Sequence, residues 1–474
     1  MPLLTLLGAA LALVPCRIEH SSRTGSWPAE CGTLAVPENP KLPAGRQIRL
    51  YVARVPAINR RKRADPLFLL AGGPGMAATA MYAGVAAVFS RIGRERDIVI
   101  VDQRGTGQSN PLTCSEPDPD SSVIDAAHIE SLTRSCLDSL RNKADVTQYT
   151  TSIAASDLER VRLALGYERI NLYGVSYGTR VAQHYLRRYP QRVRSLILDG
   201  VIAPEQIVGP EMALDAEASL QAVLQRCAGD SMCSKHFGDS LAHYRAVRAQ
   251  LSKAAVTLTI NDPTTGEART VSFGPQQLAS VLRLQVYSAQ TASLLPVALH
   301  AAATRQDYSA LAGQFLLTTH NVEESVAVGM HNTVLCTEDM PFVSADRIDR
   351  RRLDATFIGS TLIDGLRAVC RVWPQGPLDR DFHAPLHSDV PVLLLSGGAD
   401  PVTPPAYAAQ AAKNYSQARH ILIPGAGHAQ LGQPCMDRVM ADFLRDAAPA
   451  KLEVSCLDTL QPAPFFLTPN GPAP

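Results

Sequence analysis

Much of what would make this 474-residue chain easy to classify is missing from it. Its formal net charge is +1, and its longest basic run, Arg60-Arg61-Lys62-Arg63, reads as a solvated loop. Such a balance offers no argument for a nucleic-acid partner or an anionic surface. No Cys-x-x-Cys occurs and no histidine cluster accompanies the cysteines, so the common zinc frameworks are excluded and no metal is expected. The N-terminal apolar stretch, Leu3 to Val14, is too short to cross a bilayer comfortably, so no stable membrane span is expected. No Lys or Arg precedes that stretch, so the charged opening of an export signal is absent, although Ala10-Leu11-Ala12 suits a cleavage site. The one Gly-rich loop, Gly72-Gly73-Pro74-Gly75, lacks the G-K-[ST] ending of a P-loop and is not G-x-G-x-x-G, so no cofactor is implied. No internal repeat is visible.

What is present is ordinary globular material, 46% hydrophobic and 19% charged, at a length that calls for a core plus an insertion or a second domain. The ten cysteines fall in local couples, 16/31, 114/136, 227/233, 336/370 and 435/456, which suggests five sequential disulfides, although spacing alone leaves the connectivity open. Disulfides imply an oxidising compartment. Export, secreted or periplasmic, is therefore expected, with residues 1–12 as a signal peptide that lacks its charged start.

In chain order, Gln47 to Pro56 alternates and reads as an edge strand. Pro66 to Leu70 is a continuous apolar run, as in a strand buried on both faces, and Asp97 to Asp102, the apolar stretch ending at Val175 and Val193 to Leu198 read as further buried strands. Asn110 to Thr150 reads as a stapled surface excursion, and Thr151 to Leu165 as a helix with Ser156 and Asp157 as candidate caps. Residues 204–387 are expected to form a mainly helical insertion, broken by one hairpin over Val256 to Ser272. The strand–helix rhythm resumes over 388–460, and a Pro-rich tail, 461–474, is expected to be loosely ordered. Strands alternating with helices imply an α/β fold whose mostly parallel sheet is covered on both faces, with the core over 13–203 and 388–460.

One short stretch carries the chemistry. Gly174-Val175-Ser176-Tyr177-Gly178 sits between a strand and a helix, the context of a nucleophile elbow in an α/β-hydrolase. Such a serine needs an acid and then a histidine later in the chain. His428, in Gly425-Ala426-Gly427-His428, follows a predicted strand and is the expected base. Asp400, after the strand that ends near Leu395, is the expected acid, with Asp199 as its rival; Thr403, directly before Pro404, reads as a helix cap. Two fixed N–H donors should face the oxyanion, one from Tyr177 and one from Gly73.

These motifs, with Asp102-Gln103-Arg104-Gly105-Thr106-Gly107, resemble the prolyl-aminopeptidase family of serine peptidases, and the downstream Gly397-Gly398-Ala399-Asp400-Pro401 segment and the cysteines resemble its secreted tripeptidyl-aminopeptidase branch. The likeness covers residues 13–200 and 388–458. Where the family has His before Gly-Gly-Pro-Gly, this chain has Ala71, which leaves the N–H donors in place. The resemblance implies a peptide or amino-acid amide as substrate and an acidic group in the insertion for the substrate ammonium. Glu338 and Asp339, beside Cys336, are the candidates, with Glu323-Glu324 as a weaker one. An esterase or lipase using the same machinery, and a catalytically silent binding module, are the competing readings.

Overall fold

The computed structural model describes residues 11–22, 24–114, 125–468 and 470–472, without the side chains of 318–325. Residues 1–10 of the expected signal peptide lie outside the described residues. The strands are β1 (Val14–Glu19), β2 (Ser26–Pro37), β3 (Gln47–Val55), β4 (Leu67–Leu70), β5 (Ile98–Val101), β6 (Ile170–Val175), β7 (Val193–Asp199), β8 (Val256–Asn261), β9 (Ala268–Phe273), β10 (Val392–Gly397) and β11 (Ala418–Ile423).

All but β8 and β9 form one nine-stranded sheet in the order β1-β2-β3-β5-β4-β6-β7-β10-β11. Pairing is antiparallel from β1 to β5 across that order and parallel from there on. Every residue of β4, β5, β6 and β10 is buried, because helices cover both faces of a parallel sheet and leave no solvent side for polar alternation. β3, nearer the antiparallel edge, keeps an exposed–buried alternation along its first half. β1 and β2 have no counterpart in the periodicity reading. Their residues mix Cys, Pro, Trp and charge, and Cys16–Cys31 joins them.

Between β7 and β10 the chain leaves the sheet and builds a second hydrophobic cluster of its own, from Ile207 to Ile363, in which Leu220, Leu224, Val247, Leu282 and Leu299 are fully buried. The expected hairpin is there as β8–β9. All five cysteine couples are bonded as their spacing suggests, and among the described residues no cysteine is free. Among the described residues no helix is long and apolar enough to cross a membrane.

Two expectations need correction. Over its described residues the tail is docked at Phe465 and Leu467 rather than loose. Phe465 and Leu467 are buried in the insertion's cluster, and the Arg226 guanidinium lies 3.8 Å from the centre of the Phe465 ring. Apolar side chains here outweigh the proline content. The helix Thr151–Ala164 takes Thr150 as its N-cap, so Ser156 and Asp157 are interior. Asp157 is buried and forms a bidentate pair with the fully buried Arg104 (2.6 and 2.9 Å), which fixes the loop after β5.

Candidate active site

The centre of the molecule is the turn from β6 into the helix Tyr177–Arg188. Ser176 has φ 56° and ψ −124°, a conformation unfavourable for any residue with a Cβ and held by its surroundings. Its N–H donates to the Asp199 carbonyl (2.8 Å), and its own carbonyl accepts from the Thr179 N–H (2.9 Å) and hydroxyl (2.6 Å). A Cβ on Gly174 would lie 2.3 Å from the Gly178 carbonyl oxygen, and one on Gly178 would lie 2.3 Å from that of Leu70. Both glycines are therefore steric requirements of the turn. The serine itself is half-buried.

The ends of β10 and β11 bring Asp400 and His428 together. His428 Nδ1 lies 2.8 Å from Asp400 Oδ2, and the acid also accepts the N–H groups of Val402 (2.9 Å) and Thr403 (2.8 Å). Thr403 does not cap a helix. The helix Pro405–Ala412 takes Pro404 as its cap, while the Thr403 hydroxyl lies 2.8 Å from Asp400 Oδ2 and 3.2 Å from His428 Nδ1. Burial works against the charge on Asp400, but the imidazole and the donated hydrogen bonds outweigh it and hold its carboxyl below the ordinary value. Burial likewise opposes the imidazolium of His428, yet Asp400, and beyond it Asp199, raise its pKa above 6.5. Among the described residues the Ser176 hydroxyl makes no hydrogen bond to His428. Bonds of this kind in unliganded hydrolases tighten when substrate is bound.

Asp199 is fully buried at the end of β7 and faces other partners. Both its carboxylate oxygens accept the Gln430 N–H (2.8 Å each), and Tyr173 donates its hydroxyl (2.9 Å). Burial pushes its carboxyl up to about 6 against those hydrogen bonds. It ties the serine turn, through its carbonyl, to the histidine loop, through its side chain. A Cβ at the next residue, Gly200, would come within 2.8 Å of His428 Cε1.

The Gly-rich loop passes beside the serine. A Cβ on Gly72 would lie 3.1 Å from Ser176 Cβ and 3.7 Å from its hydroxyl. Gly73 has φ +106°. Tyr177 is the first residue of its helix, where a backbone N–H has no intrahelical acceptor. The loop is clasped by the insertion: Ala327 N–H donates to the Gly75 carbonyl (2.9 Å), and a ring nitrogen of His331 lies 3.2 Å from the Pro74 carbonyl oxygen.

Glu338 and Asp339 are placed differently from the expectation. Both are fully buried. Asp339 holds Arg180 in a bidentate pair (2.8 and 3.0 Å) and accepts the Val208 N–H (2.7 Å). Glu338 accepts the N–H (2.7 Å) and hydroxyl (2.8 Å) of Thr151, whose hydroxyl also meets Tyr177 Oη (2.6 Å). Burial raises the Glu338 carboxyl to about 7, against the pull of Arg180. Both carboxylates are committed beneath the serine's helix, and neither is open to a substrate ammonium. The side chains of Glu323 and Glu324 lie outside the described residues. Among the described residues no cluster of His, Cys, Asp and Glu suits a metal ion.

Residues 65–295 match the alpha/beta hydrolase fold family, and residues 355–456 match the family described as TAP-like protein. Serine protease Hip1 of Mycobacterium tuberculosis is 26% identical, the match covering 92% of this chain and 89% of that protein. Tripeptidyl aminopeptidase of Streptomyces coelicolor is 27% identical, over 96% of this chain and 90% of its own. Carboxylesterase B of Mycobacterium tuberculosis is 28% identical, over 90% and 86%.

Proposed function

Because the chain is a serine hydrolase of the α/β-hydrolase fold with a TAP-like C-terminal segment, we propose that it is an exported aminopeptidase acting through Ser176, His428 and Asp400. The carrying observation is the buried Asp400–His428 pair at strand ends beside a serine held at positive φ. Asp400 accepts the Nδ1 proton of His428, which leaves Nε2 free to take the Ser176 proton as its oxygen attacks the scissile carbonyl. The N–H groups of Gly73 and Tyr177 receive the oxyanion. His428 then passes the proton to the leaving amine, and water, activated the same way, releases the acyl group from Ser176.

With Glu338 and Asp339 committed to the interior, the ammonium of the substrate falls to Asp215. It lies half-buried on the helix Met212–Gly229, one turn before Ser219, whose hydroxyl bonds the Ala399 carbonyl (2.6 Å) beside the triad acid. Tyr407 donates its hydroxyl to Asp215 (2.7 Å), and burial, with Glu211 and Asp400 nearby, sets its carboxyl at about 6. The five disulfides support export.

Ester hydrolysis is the second reading, favoured by the likeness to carboxylesterase B. A panel of amino-acyl, prolyl and tripeptidyl nitroanilides, their N-acetylated forms and p-nitrophenyl esters separates the two. Cleavage of free-amine nitroanilides, lost on N-acetylation and in Ser176→Ala, is the expected result. Activity on esters alone, indifferent to the amine, would sink the aminopeptidase reading.

A further inference from the structure

The chain leaves the sheet after β7 and returns to it at β10, and the two connecting stretches meet at a cavity of about 350 Å³. That size is at the small end of the range for ligand sites, roughly 300–1,000 Å³. Glu205 and Ile207 line it from the outgoing stretch, Arg380 and Phe382 from the returning one, and Phe342 and Arg347 from the insertion. No member of the triad, no residue of the Gly-rich loop and neither Asp215 nor Tyr407 takes part in its lining. Its aromatic wall is held in place by His383. That ring stands edge-on to Phe342 (centres 4.7 Å apart, 71°) and to Phe382 (5.0 Å, 84°), and its nitrogens lie 3.2 Å from the Pro204 carbonyl oxygen and 2.6 Å from that of Glu338. Phe382 is buried, whereas Phe342 is 44% exposed, so a large apolar ring faces water at this cavity. Covering it is favourable.

The charged groups of the wall divide into committed and uncommitted ones. Asp379 is committed to the helix Tyr177–Arg188, through His184 (2.9 Å) and Arg188 (3.4 Å). Glu205 is half committed. One of its carboxylate oxygens accepts from Asn414 Nδ2 (3.3 Å), and the other is buried with no donor among the described residues. An unpaired buried acceptor is costly, and an N–H brought by a ligand satisfies it. Arg347 and Arg380 are exposed, and among the described residues no carboxylate forms an ion pair with either. Their planar forks match a carboxylate. One cavity thus offers an acceptor for a cation, an apolar ring and two donors for an anion.

We propose that this cavity is a second binding site, for a free amino acid with a large apolar side chain, its ammonium on Glu205, its carboxylate on Arg347 and Arg380, and its side chain against Phe342. Isothermal titration of Ser176→Ala with L-phenylalanine tests it and should show a saturable site. Phenylalanine amide and N-acetylphenylalanine, each lacking one charge, should bind about tenfold or more weakly, the scale of a hydrogen bond to a charged group. Glycine, which has no side chain to set against Phe342, should bind more weakly still. Glu205→Gln and the double variant Arg347→Gln/Arg380→Gln, each made in the Ser176→Ala background, should weaken L-phenylalanine by a similar factor with the urea midpoint unchanged. The two arginines are exposed, so the double variant tests the site apart from any folding defect in Glu205→Gln. No saturable binding of L-phenylalanine, equal binding of the amide, the acetylated form or glycine, or binding unchanged in the double variant overturns the assignment. Each of those outcomes leaves nitroanilide cleavage, and with it the aminopeptidase reading, untouched.

Discussion

Replacing Asp339 by alanine separates a structural carboxylate from a substrate-binding one. In the native protein Arg180 and Asp339 are both buried, with side chains 4% and 0% exposed, and are joined by two hydrogen bonds. The substitution leaves the guanidinium with the Gln206 carbonyl as its remaining hydrogen-bond partner and strips the Val208 N–H of its acceptor. Breaking one side of a buried pair typically costs about 3–5 kcal/mol, because the surviving charge stays desolvated. Urea unfolding of Asp339→Ala should therefore show a loss of that order, and the double variant Arg180→Leu/Asp339→Leu should recover much of it. The fraction that remains folded should keep the wild-type KM for free-amine substrates. Unchanged stability together with a KM raised about tenfold or more for free-amine substrates alone would refute the argument and return Asp339 to the role that its place in the sequence first suggested.

Four further outcomes follow from the site. His428 must be neutral to act as base and its pKa is raised, so kcat/KM should fall as pH drops through a midpoint above 6.5; Asp400→Asn should cut kcat by about 10⁴, as loss of the tautomer-setting acid does elsewhere. Glu338, held at about 7 against an ordinary 4.5, keeps a proton in the native state that the unfolded chain releases, so it lowers stability as pH rises from about 4.5 to 7. Glu338→Gln retains an acceptor for Thr151 and should flatten that part of the stability–pH curve, measured by urea titrations at several pH values. Removing the Thr403 hydroxyl with Thr403→Val should slow nitroanilide turnover by about tenfold, the effect of one hydrogen bond to a charged group, whereas Thr403→Ser should hold most of it.

The parts of this protein legible in its sequence are those where local pattern and tertiary demand coincide. The apolar stretches at Pro66 to Leu70 and Asp97 to Asp102 became β4 and β5 because a parallel sheet buries both faces. Gly174 and Gly178 are required by backbone atoms 2.3 Å from any added Cβ, so the elbow shows as a motif. His428 and Asp400 lie in glycine-bearing loops after predicted strands, and the structure brings them to 2.8 Å. The failures arise where one residue type serves two physical roles. Glu338 and Asp339 look like a binding pair beside a disulfide, but the partners that claim them, Thr151 and Arg180, are more than 150 residues away in sequence. Thr403 before a proline has the local chemistry of a cap, and only the fold reveals the carboxylate and imidazole that its hydroxyl serves.

The central claim is that Ser176 is the nucleophile, and covalent labelling with a fluorophosphonate probe tests it most directly. Intact-mass and peptide analysis should show one adduct per chain, on Ser176, abolished in Ser176→Ala and strongly slowed in a folded His428→Ala. An adduct on another serine, or no adduct on a folded wild-type protein that hydrolyses nitroanilides, would contradict it.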